Sequence, residues 1–171
     1  MKKIKIRPMN TSDISEAIYI DSKNQYLPWT ESQFAEAIFT KNSRAIVSIP
    51  PSPIVGVDIT NIGAFIVYDW QNLDFMLLHV GTLPQYQRQG HATALITPLL
   101  RTVRDIQGAS VWANVDETQL DMLLFLRVMG FRAKSIMKSP TPENEYDSIR
   151  MVFDPWETRR KEIAEKAGKA K

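Results

Sequence analysis

The stretch Pro84-Gln85-Tyr86-Gln87-Arg88-Gln89-Gly90-His91-Ala92-Thr93 decides how this chain is read. An apolar run, Phe75 to Thr82, leads into it, and an amphipathic stretch, Ala92 to Ile106, leads out. The run suits a strand and the stretch a helix. A strand passing through a glycine turn into a helix aims several backbone N–H groups outward at the positive end of the helix dipole. That arrangement cradles phosphate. The spacing is Gln-x-x-Gly-x-Ala. Neither Gly-x-Gly-x-x-Gly nor Gly-x-x-x-x-Gly-Lys-Ser/Thr occurs, so the dinucleotide and P-loop fingerprints are absent.

On the N-terminal side, Lys3 to Arg7 alternates polar and apolar residues and reads as a strand ended by Pro8. Thr11-Ser12-Asp13 offers helix caps before Ile14, Ala17, Ile18 and Ile20. A second helix restarts at Pro28-Trp29-Thr30, with Thr30 as N-cap and Gln33 as its capping-box partner. Strands are expected over 44–49, 63–68 and 75–82. On the C-terminal side, the helix after the loop runs to about Gln107 and stops at Gly108, with Pro98 inside it to bend it or cost one hydrogen bond. A strand over 110–115, a helix over 118–129, strands over 132–138 and 147–153 around a Pro-rich loop, and a charged helix over 156–169 complete the order β-α-α-β-β-β-α-β-α-β-β and a final helix. That order gives a mixed sheet with helices on both sides.

A chain of 171 residues suits one domain with a sizeable core. There is no cysteine, which excludes a disulfide framework, a thiolate zinc site and a Cys nucleophile, and fits a reducing cytosol. The start, Met1-Lys2-Lys3-Ile4-Lys5, lacks the apolar run of a signal peptide. No apolar stretch nears the roughly 20 residues that span a bilayer, so no membrane partner is expected. Between Pro155 and Lys171 six basic residues stand against three acidic ones, a net of +3 in a chain of net +2, which leaves about −1 for the rest. The basic pI belongs to the tail, so a nucleic-acid-binding face is not expected.

The segment Gln87-Arg88-Gln89-Gly90-His91-Ala92 resembles the coenzyme A pyrophosphate loop of the GNAT superfamily of N-acetyltransferases, Gln/Arg-x-x-Gly-x-Gly/Ala. The element order resembles the GNAT fold over nearly the whole chain. Pro28-Trp29-Thr30-Glu31 with Phe34, and Pro84-x-Tyr86-Gln87-Arg88-Gln89-Gly90, are similar to segments of the bacterial ribosomal-protein-alanine N-acetyltransferases, which acetylate protein N-terminal amines. The resemblance implies an α/β (α+β) fold with a mixed, mostly antiparallel central sheet and helices on both faces. It implies a GNAT domain over 1–155 and a basic helix or tail over 156–171. It further implies acetyl-CoA as co-substrate, an amine acceptor, a cytoplasmic location, no catalytic metal, and a monomer or homodimer.

Acetyl transfer from a thioester to an amine needs a held carrier, a neutral amine, a polarised carbonyl and a leaving thiolate. By resemblance, the main chain of Val80, Gly81 and Thr82 pairs with the pantetheine arm and polarises the carbonyl. The loop residues Gln87, Arg88, Gln89, Gly90, His91, Ala92 and Thr93 hold the diphosphate. Gln119 stands where the family has a cofactor-contacting Asn. The family's proton-accepting Glu falls at Asn114 and its proton-donating Tyr at Leu126, and neither residue can transfer a proton.

Three readings follow. Transfer can proceed without those groups, because an α-amine titrating near ~8 is partly neutral where a lysine at ~10.4 is not. Positioning supplies on the order of 7–11 kcal/mol, against roughly 3–5 kcal/mol from general acid–base help. Another group can substitute: Asp116, two residues beyond Asn114, or His79 on the neighbouring strand, with Glu143, Glu145 and Tyr146 in the Pro-rich loop as further candidates. Or the chain binds acetyl-CoA without turnover. The bland readings are a turn or cap role for Asp116, a packed His79, and solvated loop acids.

His79 and His91 are the only histidines, a poor zinc set without cysteine. Met76, Met122, Met129, Met137 and Met151 read as core filler, as do Trp112 and Phe125, with Tyr86 packed against the loop. Asp13, Glu16, Asp21, Glu31 and Glu36 read either as an acidic lip that draws in a cationic amine or as ordinary solvated faces. Tyr26 to Phe34 and Ser139 to Tyr146 flank the acceptor side in the family. The acceptor is therefore expected to be a protein or peptide α-amine if they leave an open groove, and a small amine if they close it.

Overall fold

The computed structural model describes residues 4–24, 28–51, 61–138 and 146–157. The 156–169 helix, apart from its first two residues, lies outside that set, as do Tyr26, Glu143 and Glu145. Seven strands and four α-helices are described: β1 (Lys5–Pro8), α1 (Ile14–Ser22), α2 (Glu31–Phe39), β2 (Ser43–Ile49), β3 (Ala64–Gln71), β4 (Asp74–Thr82), α3 (His91–Asp105), β5 (Ser110–Asp116), α4 (Leu120–Val128), β6 (Arg132–Met137) and β7 (Ser148–Phe153). The sheet order is β1-β2-β3-β4-β5-β7-β6. The pairings β1–β2, β2–β3, β5–β7 and β6–β7 are antiparallel and β4–β5 is parallel, which is the mixed sheet expected from the element order and the mostly antiparallel one that the resemblance implies.

The chain forms two compact units. One comprises Met1–Trp70 and Leu77–Leu99. Its core sets Ile14, Ala17 and Ile20 of α1 and Phe34 and Ala37 of α2 against Ala45, Val47, Phe65 and Val67 of the strands. The period-2 alternation of strands explains why Ala64 and Ile66, also fully buried, face the other way. Helix α2 begins where its sequence says it should: Thr30 Oγ1 accepts from Gln33 N–H, and Thr30 N–H donates to Gln33 Oε1 at 2.8 Å.

The caps expected at Thr11-Ser12-Asp13 differ. Asp13 does stand at the N-cap position of α1, but without a side-chain cap bond there. Asn10 caps the 3-10 turn Thr11–Asp13 before it, accepting from Ser12 N–H at 2.9 Å, while Asp13 Oδ2 accepts from Asn10 N–H at 2.9 Å. Asp13 is also buried and takes both guanidinium nitrogens of Arg7. Burial pushes its carboxyl up, but the hydrogen bonds from Arg7 and from the Asn10 backbone outweigh that and hold it below its usual value. Asp13 and Asp21 are both buried, so neither belongs to a solvated acidic lip.

The other unit comprises Gln71–Met76 and Leu100–Lys171. Its buried residues include Val103, Val111, Ala113, Val115, Leu126, Phe131, Met151 and Phe153. Two expectations about packing fail here. Trp112 is only partly buried, because odd-numbered residues of β5 face the core and Trp112 lies on the opposite face. Of the five methionines read as core filler, only Met151 is buried, and Met137 on the edge strand β6 is exposed. Helix α3 runs through Pro98 without a break, and Thr97 Oγ1 donates to Thr93 O at 2.6 Å beside it. Among the described residues no helix is long and apolar enough to cross a membrane.

Candidate active site

Strand β4 pairs with β5 through Asp74, Phe75 and Met76, then continues for six residues to Thr82. A single 3-10 turn, Pro84–Tyr86, and the segment Gln87–Gly90 connect it to α3. The backbone is left-handed at Arg88, φ 56°, and again at Gly90, φ 89°. Backbone of this kind, with left-handed residues close together in a loop, turns N–H groups toward one side and forms an anion-binding concavity. At Gly90 an added Cβ would meet nothing closer than Ile4 Cδ1 at 3.8 Å, so it is the positive φ and not space that calls for glycine. The first N–H groups of α3, at His91, Ala92 and Thr93, have no carbonyl within the helix to bond. Ala94 N–H is the first to close a helical turn, onto Gly90 O. The main chain here fits a diphosphate.

The loop's side chains serve a different end from its main chain. Gln87 Nε2 donates to Asn24 Oδ1 at 3.1 Å, and Gln89 Nε2 donates to Gln85 O at 2.6 Å. His91 turns inward and is 2% exposed, with Nδ1 2.9 Å from Ser48 Oγ and its ring against Tyr86. Burial pushes the His91 imidazole below its usual value, so the ring is neutral where it meets Ser48. Gly63 makes room for it: a Cβ there would meet His91 Cε1 and Nδ1 at 2.9 Å. These three side chains tie the loop down. On β4, Gly81 is required by packing, since a Cβ would sit 2.4 Å from Phe65 Cε1. Val80 and Thr82 flank it, both partly buried.

His79 lies on the same face of β4 as Gly81, in a cluster that the sequence did not reveal. Its Nε2 is 2.8 Å from Asp21 Oδ2 on α1, too oblique for a hydrogen bond but close enough for an ion pair. The Trp29 ring stacks on the imidazole at 4.6 Å and 2°. Trp29 N–H donates to the same Asp21 oxygen at 2.6 Å. Asp21 is fully buried, and its Oδ1 has no partner among the described residues. His79 keeps 11% of its side-chain surface accessible, and its Nε2 has no hydrogen-bond partner among the described residues. A signal for this cluster was present: Ile14, Ala17 and Asp21 share the i, i+3, i+7 face of α1, which places a carboxylate in an apolar stripe.

In the other unit, Asn114 is exposed on β5, and its Oδ1 accepts from Arg150 Nε at 3.1 Å. Asp116 Oδ1 accepts from Thr118 N–H at 2.8 Å and from Thr118 Oγ1 at 2.6 Å, an Asx turn leading toward α4. Gln119 precedes the first residue of α4, and its carbonyl accepts from Leu123 N–H. Leu126 is fully buried. His79 and the pair Asn114 and Asp116 therefore belong to different units. Among the described residues no three His, Asp or Glu side chains gather as a metal site.

The sequence model of the acetyltransferase (GNAT) family matches residues 15–131. The chain is similar to the [ribosomal protein bS18]-alanine N-acetyltransferase of Escherichia coli K12, 24% identical over 153 residues that cover 86% of this chain and 95% of that protein. The crystal structure of the Escherichia coli ribosomal-protein-S18-alanine N-acetyltransferase superposes with a TM-score of 0.72 at 22% identity, covering 88% of this chain and 93% of that one. Arabidopsis thaliana NAA60 in complex with acetyl-CoA superposes at 0.73 and 16% identity, covering 88% and 98%.

Proposed function

The chain belongs to the GNAT family of acetyltransferases, and from that premise we propose that its acceptor is the N-terminal α-amine of a protein or peptide. It is an acyltransferase, and the enzymes of its family take the acetyl group from acetyl-CoA. The observation that carries the acceptor reading is the likeness, over 86% of this chain and 95% of the relative, to a ribosomal-protein-bS18-alanine N-acetyltransferase.

Acetyl-CoA supplies an acetyl group activated as a thioester. The left-handed loop at Arg88 and Gly90 and the first-turn amides of α3 would hold its diphosphate. The main chain of Val80, Gly81 and Thr82 would align the arm and polarise the carbonyl, with Gly81 held close to Phe65. The amine nitrogen bonds the acetyl carbon, the C–S bond breaks, and one amine proton must leave. His79 is our candidate for accepting it. Asp21 stands behind Nε2 and would stabilise the imidazolium, while Nδ1 takes the proton directly or through a water. Trp29 holds the ring flat. An α-amine is neutral often enough near pH 7 for one modest base to suffice.

The test is incubation of the purified protein with acetyl-CoA and a panel of peptides and small amines, reading free thiol. Peptides with free α-amines are expected to release thiol above background, and their N-blocked counterparts are not. Release with small amines alone would overturn the acceptor reading. His79→Ala is expected to lower kcat by roughly 10²–10⁴ and to alter the acid side of the pH–rate profile. An unchanged profile would remove His79 as the base.

A further inference from the structure

Helix α3 begins on a buried histidine. His91, its first residue, is 2% exposed, and its ring fills a slot built by other segments of the same unit. From β2, Ser48 Oγ approaches Nδ1 at 2.9 Å, and Ser48, itself fully buried, also donates to Ala64 O at 3.4 Å. From the segment before β3, Gly63 closes on the ring, where a Cβ would meet Nδ1 and Cε1 at 2.9 Å. From the 3-10 turn, the Tyr86 ring lies 5.2 Å away and is the titratable side chain set against the imidazole. The charged groups next along these segments are Glu16, which accepts from Asn61 Nδ2 and Ile62 N–H ahead of Gly63, and Arg88, three residues back in the loop. Among the described residues no ion pair includes His91.

Two effects oppose a charge on this ring. The slot removes it from water, and the first turn of α3 presents the positive end of the helix dipole. Burial already holds the imidazole below its usual value. Protonation also turns both ring nitrogens into donors. The ring does not reach water by turning alone, because Gly63 and Tyr86 close the slot. Its Cα belongs to the turn that Ala94 N–H closes onto Gly90 O at 2.8 Å, so a ring that leaves takes this turn with it. We propose that His91 is a proton-linked latch: neutral and seated on Ser48, it holds the loop at Arg88 and Gly90 and the first turn of α3 in shape, and on protonation ring and turn leave the slot together. Acid then also releases the acyl carrier, a part that rests on the acetyl-CoA reading of this loop. An open ring titrates near ~6.5, so if the closed ring takes no proton the open population rises about 30-fold between pH 7.5 and 5.

The test is amide hydrogen exchange of the full chain, followed by NMR and expressed as protection relative to unfolded-chain rates at the same pH. Between pH 7.5 and 5, protection of Ala94 in the ligand-free protein is expected to fall about tenfold or more, and that of Val67 in β3 to change less. His91→Asn keeps an amide where Nδ1 stands and does not titrate here, so it is expected to lose this dependence. Ser48→Ala keeps the ring without its partner and is expected to show low protection already at pH 7.5. Unchanged protection of Ala94 in the wild type overturns the latch whatever the variants do, and so does a fall of the same size in His91→Asn. Acetyl-CoA affinity, measured by calorimetry at both pH values, is expected to weaken at least about threefold more in the wild type than in His91→Asn. The variant also corrects for the ligand's own phosphate monoester, which titrates near ~6. Equal weakening in the two proteins, or tighter wild-type binding at pH 5, overturns the release. No binding at either pH sinks the acetyl-CoA reading, while the latch stands or falls on the exchange of Ala94.

Discussion

Asp21 keeps one carboxylate oxygen buried and without a partner among the described residues, an arrangement that costs on the order of 1–3 kcal/mol when nothing offsets it. That unoffset group beside His79 and Trp29 is what makes the cluster our candidate for chemistry. His91 shows the contrary case of a histidine kept neutral for structure. Burial holds its imidazole below its usual value. Above about pH 6.5 the ring is neutral in both folded and unfolded chains, and His91 adds no pH dependence. As the pH falls below that, the unfolded chain binds a proton that the folded one refuses, so stability declines down to the depressed folded value. Urea titrations between pH 7.5 and 5 are expected to show a loss in the wild type that is smaller in His91→Gln. Parallel curves would mean that this imidazole does not govern the loop. The sequence reading put His91 among the cofactor contacts; its side chain bonds Ser48, so any such contact is proposed for its main chain.

Helix α2 carries the element-scale argument. Its capping box joins Thr30 and Gln33, and Trp29, the residue before the cap, is the one bonded to Asp21 and stacked on His79. The cap therefore sets both where the helix begins and where the indole lies. Thr30→Ala is expected to lower unfolding free energy by about 1 kcal/mol, within the usual 0.5–2 range for lost caps, and to raise the mobility of the Trp29 ring, measured by denaturant midpoint and by fluorescence anisotropy. A stability loss with unchanged anisotropy would show that the indole is held by stacking alone. This box was legible in the sequence because both partners lie within one turn. The bond from Arg7 to Asp13, which leaves the α1 cap position without a side-chain cap bond, was not. Ion pairs between elements have no local signature.

At the scale of the molecule, each unit has its own core, and the loop that reads as a diphosphate site lies wholly within the first. A ligand that binds only the folded chain stabilises it by mass action. At about 100 times its dissociation constant the gain is ~2.7 kcal/mol, which for a chain of this length moves the midpoint by about 5–10 °C. Acetyl-CoA is expected to give a thermal shift of that size, and no shift at millimolar concentration would remove the diphosphate assignment. The order of strands and helices and the Gln-x-x-Gly-x-Ala loop were readable from the chain alone, while Asn114 and Leu126 were matched to the family's Glu and Tyr only by resemblance. Each depends on neighbours in sequence: a 2- or 3.6-residue period, a left-handed turn, a residue type at a counted offset. What stands behind His79 and which residues of β5 meet the core were settled only by tertiary structure. Those facts depend on which side chains from distant segments meet on one face, and a strand's alternation says that there are two faces without saying what covers each.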